Sequence, residues 1–232
     1  MAVDKLGKKV QVMGPNLFFS RTNRQVKLTL SLGCFISPLI DAYYFLHTLF
    51  NARGETERAL EGSLDILSKL NETIPSNIEP NDIMVMVKDI QGRINGRVDE
   101  FLSMTEVGIY HPSYSLMKFY SQAAQLAFYG RKKIMMSFLI CKIITLTIEN
   151  GLCKYSATAM AYFSSVIVTK KYFHQAYKFG KISLRMLNRF SDPSQLPPLY
   201  LCYHGLVSFL FEPMSLIAEQ HRRGFDVGMS IG

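Results

Sequence analysis

Apolar residues recur every three or four positions along nearly the whole chain, and this spacing constrains the fold more than any other feature. It matches one face of an α-helix, whereas a half-buried strand alternates at every second residue. Prolines and glycines fall at the ends of the apolar runs, where they begin or end helices. The sequence therefore predicts an all-α fold whose helices are joined by short turns, which favours antiparallel neighbours.

The predicted helices follow from these runs and from their end residues. They cover residues 38–53, 56–70, 81–94, 98–104, 112–129, 131–150, 154–169, 171–190, 200–211 and 213–227. Ser37 is the predicted cap of the first helix, with Pro38 in its first turn. Gly54 breaks this helix, and Gly151 suits a left-handed C-cap. Pro197 and Pro198 are assigned to a loop.

A weak internal repeat relates two of these helices at an offset of 117 residues. It aligns Ala59 with Ala176 and Ser63 with Gly180. Small residues let two helices approach closely, and large ones wedge against the next pair, as in tetratricopeptide-type repeats. The predicted repeat-packing residues are Ala59, Ser63, Leu67, Leu70, Ser164, Ala176, Gly180, Ser183, Leu184 and Leu187.

Charge is distributed unevenly along the chain, which has a net charge of +8. Residues 51–110 carry six bases and eleven acids, whereas residues 111–190 carry twelve bases and one acid. A basic block of this size can attract nucleic acid, an acidic membrane surface or an acidic protein. The candidate basic contact face consists of Lys170, Lys171, Lys178, Lys181, Arg185 and Arg189.

The aromatic pair Tyr172 and Phe173 follows two of these lysines, as in some sites for single-stranded nucleic acid. The pair also falls at helical spacing with Ala176 and Gly180, which predicts that both rings pack inward. The sequence therefore favours pairing between the basic block and the acidic 51–110 block over the binding of nucleic acid.

The sequence contains no motif of a known catalytic or metal site. It has no Gly-rich phosphate loop, kinase catalytic loop, H-E-x-x-H motif or G-x-S-x-G elbow. Its four cysteines form no C-x-x-C pair and its five histidines no close pair, which predicts buried thiols and no metal ligands. Asp99 and Glu100 are adjacent, so on a helix they predict a solvated face. We expect a protein that is not an enzyme and has no catalytic, metal or cofactor-binding residues.

Two apolar stretches, residues 28–50 and 134–148, are candidates for membrane spans. The first contains Pro38, Asp41 and His47. The second is short and carries Lys142 in its middle, where a charge is costly in lipid. With no recognisable cleavable signal ahead of them, we predict buried helices, no transmembrane span and a cytoplasmic location.

Three stretches resemble a known family. They are LHTLFNARGETERALEGSLDILSKLNETIP (46–75), IENGLCKYSATAMAYFSSVIVTKKYFHQAYKFGKISLRMLNRF (148–190) and HGLVSFLFEPMSLIAEQHRRGFDVGMSIG (204–232). Each is similar to the tetratricopeptide-like region of very large signalling proteins, which join a serine/threonine kinase-like domain, an ATPase, helical repeats, a GAF sensor and often a histidine kinase. The resemblance covers residues 40–232 and implies the helical part alone. His47 and Ile66 replace small residues of the repeat, so the first hairpin is degenerate.

Periodicity and resemblance together predict a degenerate tetratricopeptide-like α-solenoid of stacked antiparallel helix pairs over residues 36–232. Residues 1–35 are predicted to form a divergent, poorly ordered basic segment. The expected function is a non-catalytic scaffold for protein–protein or intramolecular regulatory contacts in signal transduction, as a fragment or shortened relative of a multi-domain protein. Its partner would be a protein or other domains of a signalling assembly. The alternative is a basic helical module that binds nucleic acid or an acidic membrane surface through residues 111–190.

Overall fold

The computed structural model describes residues 36–190 and 192–231, with the backbone alone for residues 36–40. By backbone contacts the chain divides into two units, residues 1–43 and residues 44–232. The described part of the first unit, residues 36–43, lies in the first helix. The predicted basic segment of residues 1–35, with Cys34, lies outside the described residues.

Helices hold most of the described residues, and none of those residues lies in a strand. The α-helices are α1 (Ile36–Ala52), α2 (Thr56–Lys69), α3 (Pro80–Ile94), α4 (Val98–Ser103), α5 (Pro112–Tyr129), α6 (Lys133–Asn150), α7 (Lys154–Val168), α8 (Phe173–Leu187), α9 (Leu196–Leu206) and α10 (Met214–Ile231). Two short 3-10 helices span Pro193–Gln195 and Ser208–Leu210. The predicted all-α class is confirmed.

Two helices begin two residues later than predicted, and the cause is the same in both. Helix α6 begins at Lys133 rather than at residue 131, and α8 begins at Phe173 rather than at residue 171. Arg131 and Lys171 adopt left-handed backbone conformations, with φ of 58° and 64°, and therefore belong to the turns. Nothing in the local apolar spacing distinguishes such a turn residue from the first residue of a helix.

The assignment of Pro197 and Pro198 to a loop is wrong, because α9 begins at Leu196 and includes both prolines in its first turn. A proline is tolerated there, since the amide hydrogens of the first turn have no partner within the helix. The predicted helix 200–211 instead ends at Leu206, and the 3-10 helix Ser208–Leu210 follows it.

Gly151 is the C-cap of α6, but it does not adopt the predicted left-handed cap conformation. Its φ of 116° and ψ of −179° lie in a region that essentially only glycine occupies. The extended backbone lets Leu152 donate to the Thr105 carbonyl at 2.9 Å and accept from the Val107 amide at 2.8 Å, which forms an isolated parallel bridge. A Cβ atom at Gly151 would lie 2.5 Å from the Thr105 oxygen. The loop after α4 is therefore fastened to the start of α7.

The helices pack as successive pairs, α5 with α6, α7 with α8 and α9 with α10. Further contacts join α2 to α5, α6 to α7, α7 to α9 and α3 to α6. Helix α7 lies at the centre of this arrangement, and nearly all of its residues from Tyr155 to Ile167 are buried. Its small residues allow neighbours on several sides to approach closely.

The predicted repeat-packing residues are buried, except for Leu70 and Leu184, which are half-buried. Their neighbours differ between the two aligned helices. Ser63 of α2 lies against His47 of α1, with its hydroxyl 3.1 Å from Nδ1. A Cβ atom at Gly180 of α8 would instead collide with the ring of Tyr203, which belongs to the following helix pair.

Among the described residues, no helix combines the length and the apolar character needed to cross a bilayer. The candidate span 134–148 lies within α6, where half of its large apolar residues are buried and Lys142 lies 3.5 Å from Glu72. The prediction of buried thiols is confirmed for Cys141, Cys153 and Cys202.

Candidate functional site

The predicted basic contact face divides into residues that are paired within the chain and residues that are not. Three of its members have acidic partners: Lys181 with Glu212 at 2.6 Å, Arg185 with Asp99 at 2.8 Å and Arg189 with Glu106 at 3.1 Å. Lys170, Lys171 and Lys178 form no ion pair with any residue that the structure describes. Lys170 and Lys171 precede α8, so the six bases do not share one helix face.

Pairing between the basic and the acidic blocks is confirmed at several places. Besides Asp99 and Glu106, two acids of residues 51–110 have partners in the basic block: Glu57 lies 3.0 Å from Lys132, and Glu72 lies 3.5 Å from Lys142. Arg189 also donates to the Leu102 carbonyl at 2.8 Å. Part of the basic charge seen in the sequence is therefore used inside the molecule.

The four pairs near the α6–α7 connection and the C-terminal end of α8 form a group that we call the paired end. They are Arg93–Glu149, Lys154–Asp192, Arg185–Asp99 and Arg189–Glu106. Burial alone would raise the pKa of Asp192, but hydrogen bonds from the Lys154 ammonium and from Ser194 lower it. The same pair raises the pKa of Lys154, against the effect of its own burial.

The turns between α5 and α6 and between α7 and α8 carry exposed aromatic rings beside basic residues. We call these residues the turn surface: Phe128, Tyr129, Arg131, Lys133, Ile134, Lys170, Lys171, Tyr172 and Phe173. The inward packing predicted for Tyr172 and Phe173 is wrong, because the two side chains are 48% and 43% exposed. They flank the start of α8, and the helical spacing of apolar residues does not show whether a neighbouring helix covers this part of the chain.

A half-buried polar cluster joins α8 to the segment after α9. Glu212 accepts from the Tyr177 hydroxyl at 2.9 Å and from Lys181, and its other oxygen lies 3.9 Å from His204 Nδ1. Burial would raise the pKa of Glu212, but these donors lower it, and the pair raises the pKa of Lys181. A lysine held protonated cannot serve as a general base, so we assign the cluster a structural role.

A second buried cluster joins α1, α2 and α5. His47 meets the Ser63 hydroxyl, and Gln122 donates to the Tyr44 carbonyl at 2.8 Å. Gly62 makes room for the ring, because a Cβ atom there would collide with His47 Nε2. Burial lowers the pKa of His47 to about 4, so the imidazole is neutral at pH 7. This histidine fills space between helices.

The described side chains offer little support for a metal-binding site or for a nucleophilic thiol. No group of three His, Cys, Asp or Glu residues there could hold a metal ion. Burial raises the pKa of both Cys141 and Cys202 to about 12, so neither thiol provides a reactive thiolate. The predictions of no catalytic residue and no cofactor stay predictions.

The last helix pair exposes a large apolar area that the sequence analysis missed. We call it the C-terminal apolar surface: Leu201, Leu206, Phe209, Leu210, Met214, Phe225, Met229 and Ile231. A groove of about 390 Å³ between α9 and α10 opens on it, lined by Pro197, Tyr200, Leu201, His221, Gly224, Phe225, Gly228 and Met229. The apolar residues of α10 that lie off its buried stripe, such as Met214, Phe225 and Met229, could have indicated this exposure.

Comparison with family models, curated proteins and solved structures finds no match to the chain.

Proposed function

We propose that the chain is a non-catalytic helical-repeat scaffold that holds a protein partner on its last helix pair. One observation carries this proposal: half of the large hydrophobic side chains that are exposed among the described residues lie within residues 201–231. A contiguous exposed apolar area is typical of an interaction site, and three of these residues, Leu201, Phe225 and Met229, line one groove.

The proposed architecture is a degenerate tetratricopeptide-like α-solenoid. Its support is the contact pattern, in which the first helices of successive pairs touch, α5 with α7 and α7 with α9, while α6 also packs against α7. Each pair in such a stack contacts its neighbours in sequence, so a terminal pair keeps one face uncovered unless a cap or partner covers it. The C-terminal apolar surface is where we expect that partner.

The proposed occupant of the α9–α10 groove is an amphipathic helix of the partner. Gly224 and Gly228 have no side chain to fill the groove, and the exposed side chains of Phe225 and Met229 line it beside them. An apolar helix face with side chains three and four positions apart fits such a groove. The resemblance to helical regions of signalling proteins suggests another protein or domain of a cytoplasmic signalling assembly.

Selection of displayed helical peptides against the purified chain tests this proposal. We expect enriched peptides whose apolar residues recur every three or four positions, and we expect Phe225→Glu to weaken their binding by at least about tenfold, as for loss of a central aromatic contact. Fluorescence anisotropy with a labelled peptide measures this change.

Val85→Glu is the matched control, because Val85 is 62% exposed on α3 and Phe225 is 66% exposed on α10. Its peptide affinity should equal that of the wild type. Peptides that bind Phe225→Glu as tightly as the wild type would contradict the proposed site. If the wild-type chain forms dimers and Phe225→Glu dissociates them, the occupant of the groove is a second copy of the chain and not a helix of another protein.

The alternative function is that of a basic helical module that binds nucleic acid or an acidic membrane surface. A separate observation favours it, namely the unpaired bases of the turn surface. It concerns a different part of the molecule and does not compete for the α9–α10 groove.

A further inference from the structure

The α5–α6 and α7–α8 turns lie side by side at one end of the helix array. Helices α6 and α8 each return antiparallel to the preceding helix through a short turn, and α5 contacts α7 directly. Near this end the ring of Phe128, from the last turn of α5, lies 6.2 Å from the ring of Tyr162 on α7. The two turns therefore lie at the same end of neighbouring helices.

The two turns are built alike, although their sequences differ. Each contains a basic residue in the left-handed conformation after the end of its first helix, Arg131 in one and Lys171 in the other. In the first turn the Arg131 amide donates to the Phe128 carbonyl at 3.0 Å, and in the second the Lys171 amide donates to the Val168 carbonyl at 2.9 Å. Glycine is the usual residue at such a position. The backbone conformation of the two turns therefore does not require the basic side chains that they carry.

The bases of this surface differ from those of the paired end in having no acidic partner. Arg131, Lys133, Lys170 and Lys171 form no ion pair with any described residue, whereas each base of the paired end has a carboxylate within 4 Å. The neighbouring Lys132 is not part of the turn surface, since it lies 3.0 Å from Glu57. A concentration of uncompensated cations attracts an anionic surface.

Exposed rings accompany these cations. Tyr129 and Tyr172 are 61% and 48% exposed, and Phe173 and Ile134 add apolar side chains next to them. Aromatic side chains are enriched at the boundary between lipid headgroups and acyl chains, where an apolar body meets water through a polar tip. Basic residues beside them add electrostatic attraction to anionic lipids.

We propose that the turn surface binds an anionic membrane interface peripherally, with its bases on the headgroups and its aromatic side chains in the boundary layer. This surface is separate from the protein-binding groove of the proposed function. Nucleic acid fits the first turn less well, because base stacking requires open ring faces. There the ring of Phe128 already contacts the rings of Tyr129 and Tyr162, at 5.8 and 6.2 Å.

Vesicle co-sedimentation of the full chain tests the electrostatic part. The chain should bind phosphatidylcholine vesicles that contain phosphatidylserine and should not bind vesicles of phosphatidylcholine alone. A base near an anionic surface strengthens binding about fivefold, so Lys133→Glu with Lys171→Glu should weaken it by at least about tenfold. Both replaced side chains are exposed, and an acid is favourable at Lys133 in the first turn of α6.

Lys88→Glu with Arg97→Glu is the matched control, because it changes the net charge equally at two exposed bases that form no ion pair with a described residue. It should leave vesicle binding within about twofold of the wild type. Equal losses in both double variants, or no binding of the wild type, overturn the proposal. Oligonucleotide binding at physiological ionic strength that is lost on Lys133→Glu with Lys171→Glu, without vesicle binding, would assign the surface to nucleic acid.

A tryptophan reporter tests the insertion of the rings. The chain contains no tryptophan, so Tyr172→Trp supplies a single fluorophore on the turn surface. Its emission should shift to the blue when phosphatidylserine vesicles are added. Tyr110→Trp is the matched reporter at the opposite end of α5, where the side chain is 86% exposed, and its emission should not change. A blue shift in both reporters, or in neither, would contradict insertion through the turns.

Discussion

The two ends of the helix array use their basic residues in opposite ways. At the paired end, Arg189 and Lys154 bind carboxylates, and the Gly151–Leu152 backbone is fastened to the loop after α4. At the turn surface, Arg131 and Lys171 lie on exposed turns with no acidic partner among the described residues. The bases of one end hold helices together, and those of the other are available to an outside partner. The number of bases in a segment therefore does not predict a binding surface until internal pairing is known.

Gly151→Ala should break the paired end and give the largest loss of stability. The added Cβ would lie 2.5 Å from the Thr105 oxygen, and φ of 116° is strained for alanine. We expect a loss of about 2–4 kcal/mol, measured by denaturant unfolding.

Gly92→Ala is the matched control for this prediction, because Gly92 lies exposed in α3 and a Cβ there would meet nothing within 4 Å. It should raise stability by about 0.5–1 kcal/mol through the helix propensity of alanine. Equal unfolding midpoints for the two variants would show that the fastened loop contributes nothing.

Lowering the pH should destabilise the folded chain through two buried histidines that belong to neither the paired end nor the turn surface. Burial lowers the pKa of both His47 and His204 to about 4, and an unfolded histidine titrates near 6.5. Between these values the unfolded state binds more protons, so stability should fall as the pH drops from about 6.5 to 4, by about 1–3 kcal/mol in all. Although burial would raise the pKa of Asp192 at the paired end, hydrogen bonds from Lys154 and Ser194 lower it, so this carboxylate protonates below the window. Denaturant unfolding at a series of pH values measures the loss.

His204→Asn should flatten this pH dependence even if it lowers stability at every pH. His111→Asn is the control, because His111 is an exposed N-cap residue that asparagine replaces well. A pH dependence that persists unchanged in His204→Asn would assign the acid sensitivity to other groups.

Arg189→Ala should give a smaller loss, because its ion pair with Glu106 is partly exposed to solvent. Removal of this pair and of the hydrogen bond to the Leu102 carbonyl should cost about 0.5–1 kcal/mol in thermal or denaturant unfolding. Lys133→Ala removes an unpaired base from the turn surface and should leave stability unchanged. If the two variants unfold alike, the two ends do not differ in their use of charge.

Most of the helices follow from periodicity and end residues, because both depend on local sequence. The bounds of α5 were predicted without error, since Pro112 and Gly130 flank one apolar pattern. The conformation of Gly151 could not be predicted, because it depends on Thr105, which lies far away in the sequence. The start of α9 was missed because two prolines were treated as breakers, although the first turn of a helix accepts them.

The candidate sites were less accessible to sequence analysis than the helices. The basic block was recognised, but its division into paired and unpaired residues depends on how α8 lies against α4 and the loop after it. The exposure of Tyr172 and Phe173 was mispredicted, because a helical pattern does not show where the covering neighbour ends. The C-terminal apolar surface was missed, since apolar residues at helical spacing were assumed to be buried.

Lysine acylation followed by mass spectrometry tests the contrast between the two uses of charge most directly, because only the unprotonated amine reacts. Ion pairs with Asp192 and Glu212 raise the pKa of Lys154 and of Lys181, respectively, and both carboxylates also block access. Lys133 and Lys171 lie on the turn surface without such partners. We predict that Lys133 and Lys171 react several-fold faster than Lys154 and Lys181 in the native chain, and that the four rates converge on unfolding. Equal rates in the native chain, or faster reaction of Lys154 and Lys181, would contradict the account.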